Sequence, residues 1–326
     1  MAFFIYMIRF KFMKKFLLLP FLLASLMLFS QEITTNDYHV KTSWSDFKLK
    51  GKIEKITTTA FNTEGETVTL PFLENEFYNQ YIIEFDKNGL FLKQTNYLDY
   101  SGKLAIYSFT ENNYDNKHLI YQQKTTVLNN GEDPLRISSL KEFSYNQKGN
   151  LIALKEILKG KNSTANYLTD FFYENKLNHI TIKSDDQLLS ENKLVYNKNG
   201  QLIKEETITF DGKKGQSKFF IYDNQTPIYL EENTKGKKQI TFVAINPNNT
   251  KYQQFDHNHQ LKIELVKDIN NQIIAAKKQT FVNGKPILTN YTLQYTYDAI
   301  GNWITCEVKT NDNTKYTIKR NIIYYN

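Results

Sequence analysis

The stretch YTYDAIGNWITCEV, residues 295–308, decides the fold, because its central phrase recurs along the chain. Tyr297-Asp298 is followed three residues later by Gly301 and then by an apolar pair, and a related phrase, FDKNGLFL, begins at residue 85. Asp or Asn at the first position of a type I turn hydrogen-bonds the backbone ahead of it, and Gly three residues later accepts a positive φ. Each copy therefore predicts a chain reversal between two strands. The closest copies are Asp86…Gly89, Asn146…Gly149, Asn197…Gly200 and Asp298…Gly301.

Looser copies of the phrase begin near residues 62, 99, 114, 173, 222, 255 and 268. Two shorter signals, Asp211-Gly212 and Asn283-Gly284, match the two-residue hairpin turn. Large apolar residues alternate on the way into the turns, as an antiparallel strand with one buried face requires. Tyr145, Tyr196 and Tyr297 hold the same place in their copies, so we expect all three rings to stack on neighbouring hairpins with little surface in water.

Composition also favours strands. Aromatic residues make up 14% of the chain, there are 6 Pro, and no long stretch after the N-terminus has a helical period. The turn spacing gives about twenty strands, and an open sheet rarely exceeds about ten without curling. We predict an all-β fold: a long antiparallel meander of repeated hairpins, curled into a twisted open sheet or a barrel-like shell. Whether the sheet closes stays open at this point.

The repeated phrase resembles that of the YD-repeat or Rhs-like family, whose unit reads Tyr-Asp-x-x-Gly-x-Leu. The resemblance covers most of residues 49–326 and is strongest in the copies at 85, 145, 196 and 297. The lead-in LKGKIEKITTTAFNTEG and the ending look like those of short secreted bacterial members. The resemblance implies a curled sheet of hairpins. Large relatives form shells around a C-terminal toxin, whereas we expect this chain to be a member without a toxin domain.

The N-terminus predicts export. Lys14 and Lys15 precede fourteen residues, 16–29, that carry no charge, and a polar chain begins at Ser30. This pattern is typical of a signal peptide, and the apolar run is shorter than the roughly 20 residues that span a bilayer. We predict a signal peptide over residues 1–30, with Met13 as a possible true start, a lead-in segment over 31–48 and the repeat domain over 49–326. An uncleaved anchor is the alternative. With cleavage we expect no stable membrane span, and a periplasmic or extracellular location.

Charge excludes one class of partner. The whole chain carries a net charge of +7, but four of its 41 basic residues lie in the first thirty positions, which leaves 37 basic and 34 acidic residues, or +3. The KGKK run at 235–238 reads as a solvated loop, since nucleic-acid binders concentrate basic charge on one face or helix. We therefore predict no nucleic-acid partner.

The search for catalytic, cofactor and metal residues predicts none. Cys306, the only cysteine, alternates with apolar neighbours and reads as packing. His257 and His259 have metal-ligand spacing but fall in a predicted turn. EFDKNG at 84–89 resembles half a calcium loop, yet Thr95 stands where a bidentate Glu is required. Asp185-Asp186 reads as another turn, and the glycosylation patterns at Asn162 and Asn290 read as chance matches.

Two function classes remain. The first is a noncatalytic envelope or extracellular repeat protein that binds a glycan, a peptide or another surface protein through its concave or end-loop surface. The second is an extracellular hydrolase whose carboxylates come together from distant loops. Paired carboxylates in a deep cleft would favour the enzyme. A continuous polar or aromatic groove without perturbed acids would favour the binding protein.

Overall fold

A computed structural model describes residues 40–69, 77–129, 133–160, 163–224, 226–234, 236–282 and 285–326. These residues form 21 strands joined mostly by short turns. The strands are β1 (Ile53–Phe61), β2 (Thr67–Val68), β3 (Gln80–Phe85), β4 (Phe91–Tyr100), β5 (Lys103–Tyr114), β6 (Ile120–Asn129), β7 (Asp133–Tyr145), β8 (Leu151–Gly160), β9 (Thr164–Tyr173), β10 (Leu177–Ser184), β11 (Gln187–Tyr196), β12 (Leu202–Thr209), β13 (Lys214–Asp223), β14 (Thr226–Thr234), β15 (Lys237–Asn246), β16 (Asn249–Phe255), β17 (Leu261–Asp268), β18 (Ile273–Val282), β19 (Lys285–Tyr297), β20 (Trp303–Thr310) and β21 (Lys315–Tyr324). The predicted signal peptide lies outside the described residues.

The strands form one closed barrel. From β3 to β21 each strand pairs antiparallel with the next strand in the chain, while β1 pairs with β3 on one side and with β21 on the other. Twenty of the described strands complete this ring, and β2 adds only two residues against the end of β1. The all-β prediction is confirmed, and the sheet closes. Barrels of 16 to 18 strands already leave a channel, so a ring of twenty encloses a lumen.

The repeated turns use the chemistry that the sequence predicts. Gly89, Gly149, Gly200 and Gly301 all have positive φ, between 76° and 92°. In the first of these turns, Asp86 Oδ1 accepts hydrogen bonds from the backbone N–H groups of residues 88 and 90, both at 2.8 Å. In three of the looser copies, the glycine position is held by His118, His259 and Asn271, with φ of 63°, 58° and 62°. The turn therefore survives without glycine, at the cost of strain in the backbone.

One turn prediction is wrong. Asp211-Gly212 belongs to a four-residue loop, 210–213, that is closed by a hydrogen bond of 2.9 Å from the Thr209 N–H to the Lys213 carbonyl. The extra residues allow a type I turn followed by Gly212 at positive φ, which matches strand twist as well as a two-residue turn does. Two-residue turns occur instead at Ser101-Gly102 and Asp185-Asp186, where both residues have positive φ. Asn283-Gly284 lies outside the described residues.

The barrel wall has two different faces, because directly paired residues share a face all around the ring. The aromatic face carries large apolar side chains that are only 1–7% exposed, and the charged face carries large apolar side chains that are 39–55% exposed. The first set includes Phe85, Phe143, Phe171, Phe220 and Leu293; the second includes Ile152, Phe172, Val195, Phe219, Ile221 and Phe242. Side chains converge on the inside of a closed sheet and diverge on the outside. The aromatic face is therefore the concave face, and the charged face is the convex face.

Ion pairs join neighbouring strands on the convex face. Lys55 pairs with Glu84, and Lys93 pairs with Glu111. The most buried carboxylate of this face is Glu264, whose side chain is 8% exposed and lies 2.9 Å from Lys251 Nζ and 3.1 Å from Lys277 Nζ. Burial by itself would raise the pKa of Glu264, but hydrogen bonds from the two lysines and from Gln253 outweigh it and hold that pKa below its ordinary value.

This arrangement predicts a pH-dependent contribution to stability. A carboxylate with a lowered folded-state pKa stabilises the fold above its unfolded pKa, about 4.3 for Glu, and loses that contribution as pH falls through the folded pKa. In urea titrations, the difference in unfolding free energy between wild type and Glu264→Gln should be largest above about pH 5 and should shrink toward pH 3. Glu307→Gln, at an exposed convex carboxylate, is the control. A difference that stays constant with pH would contradict the assignment.

Tyrosines connect neighbouring repeats at the turn edge. The hydroxyl of Tyr196 donates to the carbonyl of Leu177 at 2.6 Å, and that of Tyr222 donates to Leu202 at 2.9 Å. Pairing between β10 and β11 begins only at His179, so the carbonyl of Leu177 lies beyond the ladder. In the same way, the hydroxyl of Tyr114 donates to the carbonyl of Phe91 and that of Tyr295 to the carbonyl of Ile273, each the first residue of a strand. The tyrosine of the repeat thus satisfies a carbonyl that the ladder leaves free.

Removing this hydroxyl should weaken the barrel by one hydrogen bond. Tyr196→Phe and Tyr222→Phe keep the ring, so each should lower the unfolding free energy by about 1 kcal/mol. Tyr297→Phe is the matched control, since Tyr297 is 43% exposed and carries no such bond among the described residues. Chemical denaturation of the three variants measures the difference. Equal effects in all three would show that the hydroxyl–carbonyl bonds add nothing to stability.

The ring predictions hold only in part. Tyr145 and Tyr196 are half-buried, and Tyr297 is exposed, so the expectation of three equally packed rings is wrong. In the last repeat, the hydroxyl of Tyr295 donates to the Ile273 carbonyl. Tyr297 lies opposite Trp303, where a β-bulge interrupts the register. A bulge redirects a side chain and therefore breaks the alternation on which the expectation rested.

A segment that we call the N-terminal strap, residues 42–52, crosses the turn edge where the ring closes. The Thr42 carbonyl accepts a hydrogen bond from the Phe91 N–H, and Trp44 lies against Gly89. At the other end, the Asn302 side chain exchanges two hydrogen bonds with the Lys50 backbone, at 2.7 and 2.8 Å. The strap therefore ties the β3–β4 turn to the β19–β20 turn. Within the described ranges, no helix has the length and apolar character to cross a membrane.

Candidate binding row on the concave face

Five polar or amphipathic side chains form a continuous row across the closing strands, and we call this set the concave row. The pairs Arg320–Thr58, Thr58–Tyr81, Tyr81–Asn96 and Asn96–Ser108 are direct cross-strand partners on β21, β1, β3, β4 and β5. The row lies four residues inward from the turn that ends β3. It exists only because β21 pairs with β1.

Arg320 is the charged end of the row. Its guanidinium lies 3.5 Å from the centre of the Trp303 ring, which is a cation–π contact that fixes the plane of the group. No carboxylate of the described residues lies within 4.0 Å of it, and its buried Nε has no hydrogen-bond partner there. Beside it, Thr58 is 0% exposed and its Oγ1 is also without a partner in the described structure. Two adjacent buried polar atoms without partners mark a place where a ligand or water is expected.

The other end of the row is neutral and internally ordered. Asn96 Nδ2 donates to Ser108 Oγ at 3.0 Å, and Gln94 Nε2 donates to Asn96 Oδ1 at 2.7 Å. Two further amides flank the row, because Gln123 Nε2 donates to Asn112 Oδ1 at 3.0 Å. These bonds hold amide and hydroxyl groups in place before any ligand arrives, which reduces the entropy that binding must overcome.

The surroundings of the charged end are apolar. Tyr295, Cys306 and Trp303 belong to the largest hydrophobic cluster, together with Ile56 and Ile318. Burial raises the pKa of the Cys306 thiol to about 12, so this cysteine is not a nucleophile at neutral pH. Burial also raises the pKa of Tyr295. The low dielectric of this cluster strengthens any charge interaction that Arg320 makes.

The residues weighed in the sequence lie elsewhere. His257 and His259 sit in the β16–β17 turn, and Asp86 holds the β3–β4 turn. No group of three or more His, Cys, Asp or Glu that could hold a metal occurs in the described ranges. Asn290 lies on strand β19, and Asn162 is outside the described residues.

Sequence reasoning missed the concave row, because Thr58 and Arg320 are 262 residues apart and meet only through closure. One signal was present. The chain has 41 basic residues, of which only Arg9, Arg136 and Arg320 are arginine. Arginine in a chain that otherwise uses lysine points to a position where a planar, stacked donor is needed.

The convex face carries a second surface feature. Ile152, Phe172, Val195, Phe219, Ile221 and Phe242 form an apolar strip that crosses β8 to β15. Cross-strand partners connect its members, as in the Val195–Lys204–Phe219 and Ile221–Tyr229–Phe242 series. Lys204 lies between Val195 and Phe219, so the strip is a series of exposed apolar side chains with charged residues among them; several exposed apolar side chains near one another mark contact sites more often than single ones do.

Comparison with solved structures returns toxin-complex chains and a porin-like protein. The chain matches the structure of TcdB2-TccC3-TEV with a TM-score of 0.37 and 14% identity, over 79% of this chain and 15% of that one. It matches TcdB2-TccC3-Cdc42 with a TM-score of 0.37 and 13% identity, over 73% and 14%. A porin-like protein from Bacteroides uniformis gives a TM-score of 0.36 and 10% identity, over 84% of this chain and 99% of that one. The chain thus spans about 15% of the length of the toxin-complex chain.

No family model matches the chain, and no curated protein matches it either. At TM-scores below 0.5 the structural matches establish no family membership. The fold and the concave row define a closed, hollow β-barrel with a polar inner site, and the YD-repeat resemblance stays a prediction.

Proposed function

We propose that this protein is a noncatalytic, exported β-shell that binds a glycan on its concave face. The observation that carries the proposal is the concave row, a preordered line of hydroxyl and amide groups across five strands. Such groups donate to and accept from sugar hydroxyls, and their geometry is fixed before binding. Thr58, Tyr81, Asn96 and Ser108 are only 0–6% exposed, so a ligand in the lumen meets the row through the half-buried Arg320 and the flanking Gln123.

Charge supports a water-filled shell. Ion pairs occupy strand centres on both faces, as Lys277–Glu264 does on the convex face and Lys218–Glu205 on the concave face. A wall that faced lipid would carry an unbroken apolar band, whereas Lys204 and Glu231 lie directly beside Phe219 among the exposed apolar side chains of the convex face. We propose that the mature chain does not span a membrane and acts in the periplasm or outside the cell after signal cleavage. Intact mass of protein from its native host tests this, because loss of residues 1–30 should be seen.

The hydrolase alternative draws no support from the described carboxyl groups. Those with shifted pKa values, such as Asp256, Asp298 and Glu264, are lowered by turn hydrogen bonds or ion pairs. A general acid needs a raised pKa. We therefore favour binding over catalysis.

A second candidate rests on the apolar strip. Ile152, Val195 and Ile221 offer no hydrogen bonds, so this surface suits a protein better than a sugar. Contact with a surface protein of the envelope is the function that it favours. Val195→Asp should then abolish co-purification with such a protein, while Thr292→Asp, on the same face outside the strip, should not. Equal recovery with both variants would remove this candidate.

The glycan proposal is tested by a matched pair of neighbouring residues on β6. Gln123 lies on the concave face beside Asn112, and Lys124 lies on the convex face opposite Glu111. Glycans that the wild type captures from a microarray should bind Gln123→Ala at least severalfold more weakly and Lys124→Ala unchanged. If wild type captures no glycan, or if both variants bind like wild type, the concave face is not the site.

A further inference from the structure

We infer that Arg320 recognises a carboxylate, so that the ligand of the concave row is an acidic glycan built from uronic acid units. This inference rests on the proposed glycan-binding function and adds the charge of the ligand. Its basis is the guanidinium stacked on Trp303, which lies beside Thr58 and has no carboxylate of the described residues within 4.0 Å.

Burying a guanidinium whose Nε has no hydrogen-bond partner in an apolar setting costs free energy. A bound anion offsets that cost. Stacking on Trp303 holds the plane of the guanidinium, and the Arg320 side chain is half-buried, so part of it stays exposed to a ligand. Nε points into the protein, and the Thr58 hydroxyl beside it needs a partner as well. Both atoms are buried, so an anionic oxygen satisfies them only when the neighbouring side chains move aside on binding.

The site favours a carboxylate over a phosphate. Arg320 is the one cation of the concave row, and Lys319 lies on the opposite face, over the Phe61 ring. A single planar fork matches the charge and the two oxygens of a carboxylate, whereas phosphate sites collect several donors or cations. Asn96 and Ser108 are only 6% and 4% exposed and bond to each other, so the more exposed Gln123 meets the hydroxyl groups of the same or the adjoining sugar.

The test uses an oligogalacturonate and its methyl ester, which differ in charge but keep the same sugar hydroxyls. Calorimetry on the full-length protein should show that wild type binds the acid at least tenfold more tightly than the ester. Arg320→Gln should bind acid and ester alike, and Arg320→Lys should keep part of the preference because the charge remains. Lys319→Gln, one residue away on the convex face, should behave like wild type. Thermal unfolding shows whether each variant is folded. If Arg320→Gln does not fold, the comparison of acid with ester is made with Arg320→Lys.

Several outcomes overturn the inference. Equal binding of acid and ester by wild type, with weaker binding of both to Gln123→Ala, would leave the glycan proposal standing and remove the role of Arg320. Preference for a peptide with a free C-terminal carboxylate over the oligogalacturonate would assign the site to a peptide. Displacement of the oligogalacturonate by inorganic phosphate at equal concentration would show that the site recognises a phosphate group and not a carboxylate. Binding of neither sugar would count against the proposed function as well.

Discussion

Gly89→Val should destabilise the barrel by about 3 to 5 kcal/mol, which is the loss expected when a large aromatic side chain is displaced from its packing. Gly89 has a φ of 88°, which a β-branched residue resists. A Cβ at this position would lie 2.5 Å from Cε3 of Trp44, closer than side chains pack. The substitution therefore strains the turn and also displaces the N-terminal strap. Urea denaturation followed by tryptophan fluorescence measures both effects.

Gly149→Val separates the two contributions. Gly149 has a φ of 81°, but a Cβ there meets nothing within 4 Å, so only the backbone strain of about 1 to 2 kcal/mol applies. Gln147→Val, at the second position of the same turn, should cost less still. If the two glycine variants lose equal stability, the strap adds nothing at Gly89. If Gln147→Val matches Gly149→Val, the turn chemistry is wrongly assigned.

Tyr295→Ala should be the most damaging tyrosine truncation, at about 3 to 5 kcal/mol. Its ring packs on Trp303 with centroids 5.7 Å apart, and its hydroxyl donates to the Ile273 carbonyl at 2.9 Å. Truncation leaves a cavity in the largest cluster and an unsatisfied carbonyl. Thermal and chemical unfolding should both show the loss.

Tyr297→Ala is the control two residues further along the same strand. This ring is 43% exposed, so its loss should cost about 1 kcal/mol or less. Glycan binding, once measured, should change in Tyr295→Ala only in proportion to unfolding. A Tyr297→Ala variant as unstable as Tyr295→Ala would show that the repeat tyrosine, and not its neighbour, carries the packing in the last repeat.

Local chemistry explains what the sequence could predict. Asp or Asn with Gly three residues later fixes each turn through contacts within five residues, so the turns at Gly89, Gly149, Gly200 and Gly301 could be placed correctly. Alternation of apolar residues then fixed which face of each strand is packed. Both signals act over a few residues and need no knowledge of the rest of the chain.

The remainder depends on distant contacts. Closure pairs β1 with β21, and no residue near Thr58 indicates that Arg320 will be its neighbour. The tyrosine bonds depend on where the ladder between two repeats ends, as at Leu177, and a β-bulge in the last repeat moves the bonded ring from Tyr297 to Tyr295. Pairing length and bulges are set by the whole sheet, so the repeat pattern alone could not predict the concave row.

Closure of the ring is the central claim, because the lumen and the concave row both require it. Thr57 and Asn321 are direct partners on the convex face across the β1–β21 pair, so spin labels there should not disturb the lumen. Cα atoms of paired residues lie about 4.5 to 5.5 Å apart, so electron–electron distance measurement should give a narrow distribution below about 20 Å once label length is included. A broad distribution centred beyond about 40 Å, as for the two ends of an unclosed sheet with strands about 4.8 Å apart, would contradict the barrel and the binding site built on it.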